Sequence, residues 1–186
     1  MRPEEFLDFL HSMERMKCNT RHGWTSTLRH ESVAEHSYRL CVMAFLLRDE
    51  FPELDMDKVL RMCLVHDWGE AVTGDIPSFL KTEANEQTED DAVASLLLTL
   101  PERQAELTGL FAEMNAQETA EARLYKALDK LEAVVQHNEA PLSTWIERER
   151  TLNLTYAVPE CAAFPYLART RELVLRDTER KLAQDG

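Results

Sequence analysis

Apolar positions recur at intervals of three and four along most of the chain, and prolines, glycines and short polar runs break the pattern. Phe6, Leu7, Phe9, Leu10 and Met13, behind Pro3, Glu4 and Glu5, predict an opening amphipathic helix with proline and acidic residues in its first turn. The periodicity stops from Cys18 to Glu31, and Arg21-His22-Gly23-Trp24 followed by Thr25 to Arg29 reads as an irregular loop. Ser32-Val33-Ala34-Glu35 is a capping-box pattern, so a helix begins there. Its apolar residues Val33, Leu40, Met43, Ala44 and Leu47 share one face with His36. Phe51-Pro52-Glu53 interrupts the chain, Asp55 or Asp57 can cap the next helix, and Val59, Leu60, Cys63 and Leu64 supply its core-facing stripe. Gly69 and Gly74 loosen the backbone behind that helix, and Pro77 ends any regular continuation.

Ser78 to Lys81 reads as a loop, and Thr82 caps a helix whose apolar part is Val93 to Leu100, with Glu83 to Asp91 as its solvated face. Pro101 starts a further helix. Thr119 leads into a long one through Leu124, Leu128, Leu131 and Val135, ended by Pro141. Trp145 to Arg150 predicts another helix or lid, and Phe164 to Leu182 a closing one. There is no internal repeat and no convincing strand alternation. The expected fold is an all-α bundle of some six to eight helices.

Composition narrows the class. A chain of 186 residues suits one well-buried core, so a single domain over residues 1–186 is expected. No stretch approaches the about 20 apolar residues of a membrane span, and the N-terminus has no signal-peptide pattern, which points to a cytoplasmic protein. The four cysteines are scattered, and Cys41 and Cys63 sit in apolar helical runs, where small buried thiols are the simplest reading. The net charge of −13 argues against a nucleic-acid polymer as partner. A phosphate ester would approach against that field, so its site needs a local cluster of cations.

The candidate chemistry concentrates between Cys63 and Pro77, where His66 and Asp67 arrive at the end of an apolar helix. Neighbouring helical residues point about 100° apart, so these two alone cannot enclose a metal ion and further ligands must come from elsewhere. His36 and Asp129 are candidates. Taken alone, His36 reads rather as a core histidine satisfied by a backbone carbonyl, and Asp129 as an exposed helical aspartate beside Lys130. Glu70 follows Asp67 by three residues and can project toward the same pocket, or be a surface glutamate. Asp75 follows Gly74 in a turn, where capping is its ordinary use. Arg21 is the strongest phosphate clamp, because a guanidinium binds phosphate oxygens bidentately, and Lys81 is the second candidate cation. Trp24 can stack on a base, wall a sugar or simply pack.

The stretches ESVAEH (31–36), LVHDWGEAVTGDIP (64–77) and EARLYKALDKLEA (121–133) resemble the HD-domain metal-dependent phosphohydrolases, whose signature is His…His-Asp…Asp. Their wording is similar to the small branch that contains 5′-deoxynucleotidases. The resemblance covers about residues 21–139. It implies an HD-type helical domain with His36, His66, Asp67 and Asp129 as metal ligands, and Glu70 as general acid or base. Asp75 would position the water or a sugar hydroxyl, and Arg21 with Trp24 would form the arginine-tryptophan element. In this chain His22 and Gly23 stand between those last two, where other members place them adjacent.

Two imidazoles and two carboxylates favour manganese, cobalt, iron or zinc, with magnesium less suited because it prefers oxygen ligands. Four protein ligands leave positions open for water and substrate. The resemblance implies hydrolysis of (deoxy)nucleoside 5′-monophosphates by water activated at the metal, and a homodimer. The alternatives are a nucleotide pyrophosphohydrolase, a cyclic-nucleotide phosphodiesterase, or an inactive metal- and nucleotide-binding module. His137 stands about 12 Å along a helix from Asp129, too far to share its ion.

Overall fold

In the computed structural model, which describes residues 1–77 and 79–184, the long helix expected after Thr119 is the axis of the molecule. It follows α1 (Pro3–Met13), α2 (Arg15–Cys18), β1 (Thr20–Trp24), β2 (His30–Ser32), α3 (Val33–Leu46), α4 (Met56–Val65), α5 (Glu70–Thr73), α6 (Glu83–Leu97) and α7 (Gln104–Ala116). The axis itself is α8 (Ala120–Glu139), and α9 (Glu147–Thr155), α10 (Val158–Ala162) and α11 (Pro165–Ala183) close the chain. Among the described residues eight helices have nine or more residues, the rest are short, and the only sheet is a two-stranded hairpin, so the fold is all-α. Among the described residues no helix is long and apolar enough to cross a membrane.

Leu124, Ala127, Leu128, Leu131 and Val134 of α8 are all within 1 % of complete burial. They pack with Leu40 and Ala44 of α3, Val59, Met62 and Cys63 of α4, and Cys161 and Leu167 from the C-terminal helices. Burial of this apolar surface is the main force holding the three central helices together. In α4 the buried face is Val59, Met62 and Cys63, while Leu60 is half-buried and Leu64 is exposed. Leu64 therefore falls outside the stripe expected for it, because one step of about 100° from Cys63 turns it toward solvent. In α1 Phe9 docks its ring edge-on against Trp68, but Phe6, Leu7 and Leu10 stay exposed.

Several helix starts follow local chemistry. Ser32 Oγ accepts from the Glu35 amide while Glu35 reaches back to the Ser32 amide, and Thr82 and Thr119 cap α6 and α8 with their hydroxyls. Asp55 is the residue that caps α4. Pro101 does not open a helix as expected. It lies in a turn, and α7 begins at Gln104. Gly74 adopts φ of +77°, a conformation that side chains with a Cβ rarely take, and it ends α5. A Cβ on Gly69 would come within 2.9 Å of Glu89 Cγ, so glycine there lets the turn after α4 lie against α6.

The segment expected as an irregular loop is instead the antiparallel hairpin, with Thr20 opposite Ser32 and Trp24 opposite His30. A two-stranded ribbon is not stable alone, and this one is held from outside. Gln136 of α8 donates to the Trp24 carbonyl at 2.6 Å, and Asn19 donates to the Glu70 carbonyl at 2.5 Å. Ser78, the first residue of the expected loop after Pro77, lies outside the described residues, whereas Phe79 and Leu80 form a turn.

Candidate active site

His36 stands one turn into α3, four residues beyond its Ser32 cap, and is completely buried. His66 is the residue at which α4 ends, followed in the turn by Asp67, and Asp129 lies midway along α8. Packing of these three helices brings the four side chains to one point. His36 Nε2 lies 3.3 Å from His66 Nε2, 3.2 Å from Asp129 Oδ1 and 4.0 Å from Asp67 Oδ2. His66 Nε2 lies 3.0 Å from Asp67 Oδ2 and 3.9 Å from Asp129 Oδ1.

The opposite nitrogens explain the orientation of both rings. His36 Nδ1 is 2.5 Å from Glu132 Oε2, and His66 Nδ1 is 2.9 Å from the Cys63 carbonyl. With each Nδ1–H engaged by an acceptor, each Nε2 lone pair is left to face the cluster. Two imidazole nitrogens in near contact, with Asp129 beside them, form a donor set that fits a divalent cation, and Asp67 stands next to His66 as a further donor. Glu132 is in turn held by Arg39 Nε at 2.5 Å.

The electrostatics agree with such a centre. Burial opposes charge on Asp67, but His66, His36 and Arg21 hold its carboxyl well below the usual range. Burial likewise opposes Asp129, which Lys126 and the histidines keep ionised. Burial and Arg21 disfavour a proton on His36, yet Asp129 and Glu132 outweigh them and raise it to about 10 in the absence of a cation.

Above the cluster opens a cavity of about 150 Å³ whose wall includes Arg21, Asp67, Glu70, Asp75, Lys81 and Asp129. Arg21 Nη1 bonds Asp67 Oδ2 at 3.3 Å and its Nε lies 3.6 Å from Glu31. Lys81 pairs with Glu89. Glu70 is 5 % exposed and its Oε2 has no hydrogen-bond partner. Burial, then the charges of Asp67 and Asp75, push its carboxyl up to about 9, so it carries a proton at neutral pH. Asp75 is also raised, first by burial.

Of the residues singled out in the sequence, only Trp24 is absent from both the cluster and the cavity wall. Its ring lies over His30 with centroids 4.0 Å apart, because Trp24 is the last residue of β1 and its strand partner is His30. Aromatic and imidazole surface in the cavity comes instead from His22, Phe79, His137 and Tyr156. Sequence reasoning also missed Glu132, Glu31 and Lys126. Lys126 Nζ bonds Asp129 Oδ2 at 2.9 Å, and its place three residues before Asp129 was the available signal. Glu132, three residues after Asp129, was legible in the same way.

Comparisons with known proteins bear on the family. The HD-domain family model matches residues 13–163. The 5′-deoxynucleotidase HDDC2 of Bos taurus is 37% identical over 138 residues, 72% of this chain and 66% of that protein. The 5′-deoxynucleotidase hdd1 of Schizosaccharomyces pombe is 31% identical over 137 residues, 69% of this chain and 68% of that protein. The match thus spans about two thirds of the length of these relatives. Among solved structures, a predicted metal-dependent phosphohydrolase from Magnetospirillum magnetotacticum MS-1 superposes with a TM-score of 0.82 at 29% identity, covering 97% of this chain and 96% of that one. A conserved hypothetical protein from Pyrococcus furiosus superposes with a TM-score of 0.71 at 28% identity, covering 94% of this chain and 99% of that one. The chain belongs to the HD-domain family.

Proposed function

We propose that the protein is a metal-dependent nucleotidase that releases inorganic phosphate from (deoxy)nucleoside 5′-monophosphates. The observation that carries this reading is the gathering of His36, His66, Asp67 and Asp129 at the floor of a cavity that also holds Arg21, Lys81 and the buried Glu70. The names of the deoxynucleotidase relatives support the substrate class. The mixed nitrogen and oxygen donors favour manganese, cobalt, iron or zinc over magnesium. A divalent ion held by these residues would lower the pKa of a coordinated water toward about 7 and polarise a phosphoryl oxygen.

The protein's own groups supply the rest. Arg21, oriented by Asp67 and Glu31, presents its remaining N–H donors to the phosphate oxygens, and Lys81 adds a second cation once it leaves Glu89. Glu70, buried in the cavity wall beside Asp67, donates a proton to the departing sugar oxygen. Asp75 accepts a hydrogen bond from the attacking water or a sugar hydroxyl. On the same reading the chain works as one HD-type domain, and the exposed Phe6, Leu7 and Leu10 of α1 support pairing between two copies.

The test is phosphate release from deoxy- and ribonucleoside mono-, di- and triphosphates with manganese or cobalt, with and without chelator. Chelator-sensitive release from the deoxymonophosphates is expected, and none from Asp67→Ala. Turnover that survives exhaustive chelation, or full activity in Asp67→Ala, overturns the proposal.

A further inference from the structure

The cavity extends well beyond the metal-binding cluster. Asp129, Ala133, Gln136 and His137 all line it, at helical spacings of four, three and one, so it runs along one face of α8. From Asp129 to His137 is about 12 Å along the helix axis, which matches the reach of a nucleoside monophosphate from its phosphorus to the outer edge of its base. At that far end α9 contributes Leu152 and Asn153, and β1 contributes His22.

This end is polar and built. Asn153 is 2 % exposed, and its Oδ1 lies 3.0 Å from His137 Nδ1, while its Nδ2 has no hydrogen-bond partner. Behind it Glu149, 1 % exposed, accepts from the Ile146 amide with one oxygen. The other oxygen stands 3.0 Å from His22 Nε2 and 3.3 Å from His137 Nε2. Arg171 of α11 fixes the backbone here by donating to the carbonyls of Asn153 at 2.7 Å and Tyr156 at 2.8 Å. Glu149 stands at ion-pair distance from two imidazoles without hydrogen-bonding either, His137 engages the Asn153 amide oxygen, and that amide keeps a buried, unused donor on a residue that lines the cavity, with His22 Nε2, Glu149 Oε1 and Arg171 Nη1 also unpaired around it. Buried donors are almost always paired, and hydrolysis of a phosphate ester gives this one no task. Phe79, Leu152 and Tyr156 provide apolar and aromatic wall nearby, as a flat heteroaromatic ring requires.

We propose that this end of the cavity is a nucleobase subsite in which Asn153 Nδ2 donates to a carbonyl or ring-nitrogen acceptor on the base edge, with His137 and Glu149 as positioning residues. The proposal rests on the nucleotidase reading for its ligand and assigns the part of that ligand remote from the phosphate.

The test compares the manganese-loaded wild type with Asn153→Asp, which replaces the donor by an acceptor of the same shape, and Asn153→Ala, which adds no charge beside Glu149. The substrates are deoxynucleoside 5′-monophosphates and the base-free ester 2-deoxyribose 5-phosphate. Both variants are expected to lower the ratio of kcat/KM for the best nucleotide to that for the base-free ester about tenfold, the order of one lost hydrogen bond, chiefly through KM. A parallel loss on nucleotide and ester, leaving the ratio as in the wild type, marks Asn153 as structural and overturns the proposal.

Calorimetric titration with 2′-deoxynucleosides, which carry no phosphate, separates this failure from failure of the nucleotidase reading. If no substrate releases phosphate, the nucleotidase reading falls and the titration decides the subsite alone. Binding by the wild type that weakens about tenfold in both variants upholds it, and nucleosides bound by none of the proteins, or equally by all, overturn it.

Discussion

Glu70 shows most plainly how one residue couples this site to the stability of the protein. Burial, with Asp67 and Asp75 adding to it, raises its carboxyl from an ordinary 4.5 to about 9. Between those two values the folded chain holds a proton that the unfolded chain has lost, so stability falls as pH rises across the window. In metal-free protein Glu70→Gln should therefore raise Tm at pH 8 to 9 by more than at pH 5, the linkage over some three pH units being at most about 4 kcal/mol, or roughly 10 °C. The same substitution removes the proposed proton donor and should lower kcat by about 10²–10⁴-fold in the loaded enzyme. Thermal melts at the two pH values check the first effect, and an equal gain at both would contradict it. Glu70 was visible in the sequence by its spacing from Asp67, but its burial and unbonded oxygen depend on α5 and the turn before it lying against α2 and α6.

At the scale of elements, the start of α3 sets the position of His36. The reciprocal bonds of Ser32 and Glu35 fix the first turn, and His36 is the next residue. Ser32→Ala should cost about 1 kcal/mol and lower Tm by about 2–4 °C, with a weaker affinity for manganese because the first turn frays. An unchanged Tm would show that the hairpin, through the bond from the Val33 amide to the Asn19 carbonyl, defines the start without the cap. The caps were legible because they join residues three apart. The hairpin was not, since Thr20 to Trp24 lacks alternation and its partners on α8 stand more than a hundred residues away.

At the scale of the whole molecule, the four candidate ligands come from the three helices that form the core, so binding of an ion and folding are linked. Manganese at about 100 times its Kd should stabilise the fold by about 2.7 kcal/mol, a rise of some 5–10 °C for a chain of this size. Asp129→Ala should abolish that rise, and a rise of equal size in the variant would place the ion elsewhere. The net charge of −13 extends into the cavity, where Arg21, Lys81 and Lys126 stand among Glu31, Asp67, Glu70, Asp75 and Asp129, so on the proposed function a bound cation is needed to offset the field that an anionic substrate meets.

The order of helices, the caps at Ser32, Asp55, Thr82 and Thr119, and the placing of His66 and Asp67 at a helix end were determined by the sequence itself, because each depends on residues within about one turn of one another. The motif spacing also singled out His36 and Asp129 by resemblance. Only the tertiary structure decided that Glu132 holds His36 across 96 positions and that Trp24 turns to His30. It likewise decided that His22, His137, Glu149 and Asn153 gather at the far end of the cavity. Those contacts join elements distant in the chain, and their distances follow from how α3, α8, α9 and the hairpin pack, which local periodicity does not encode.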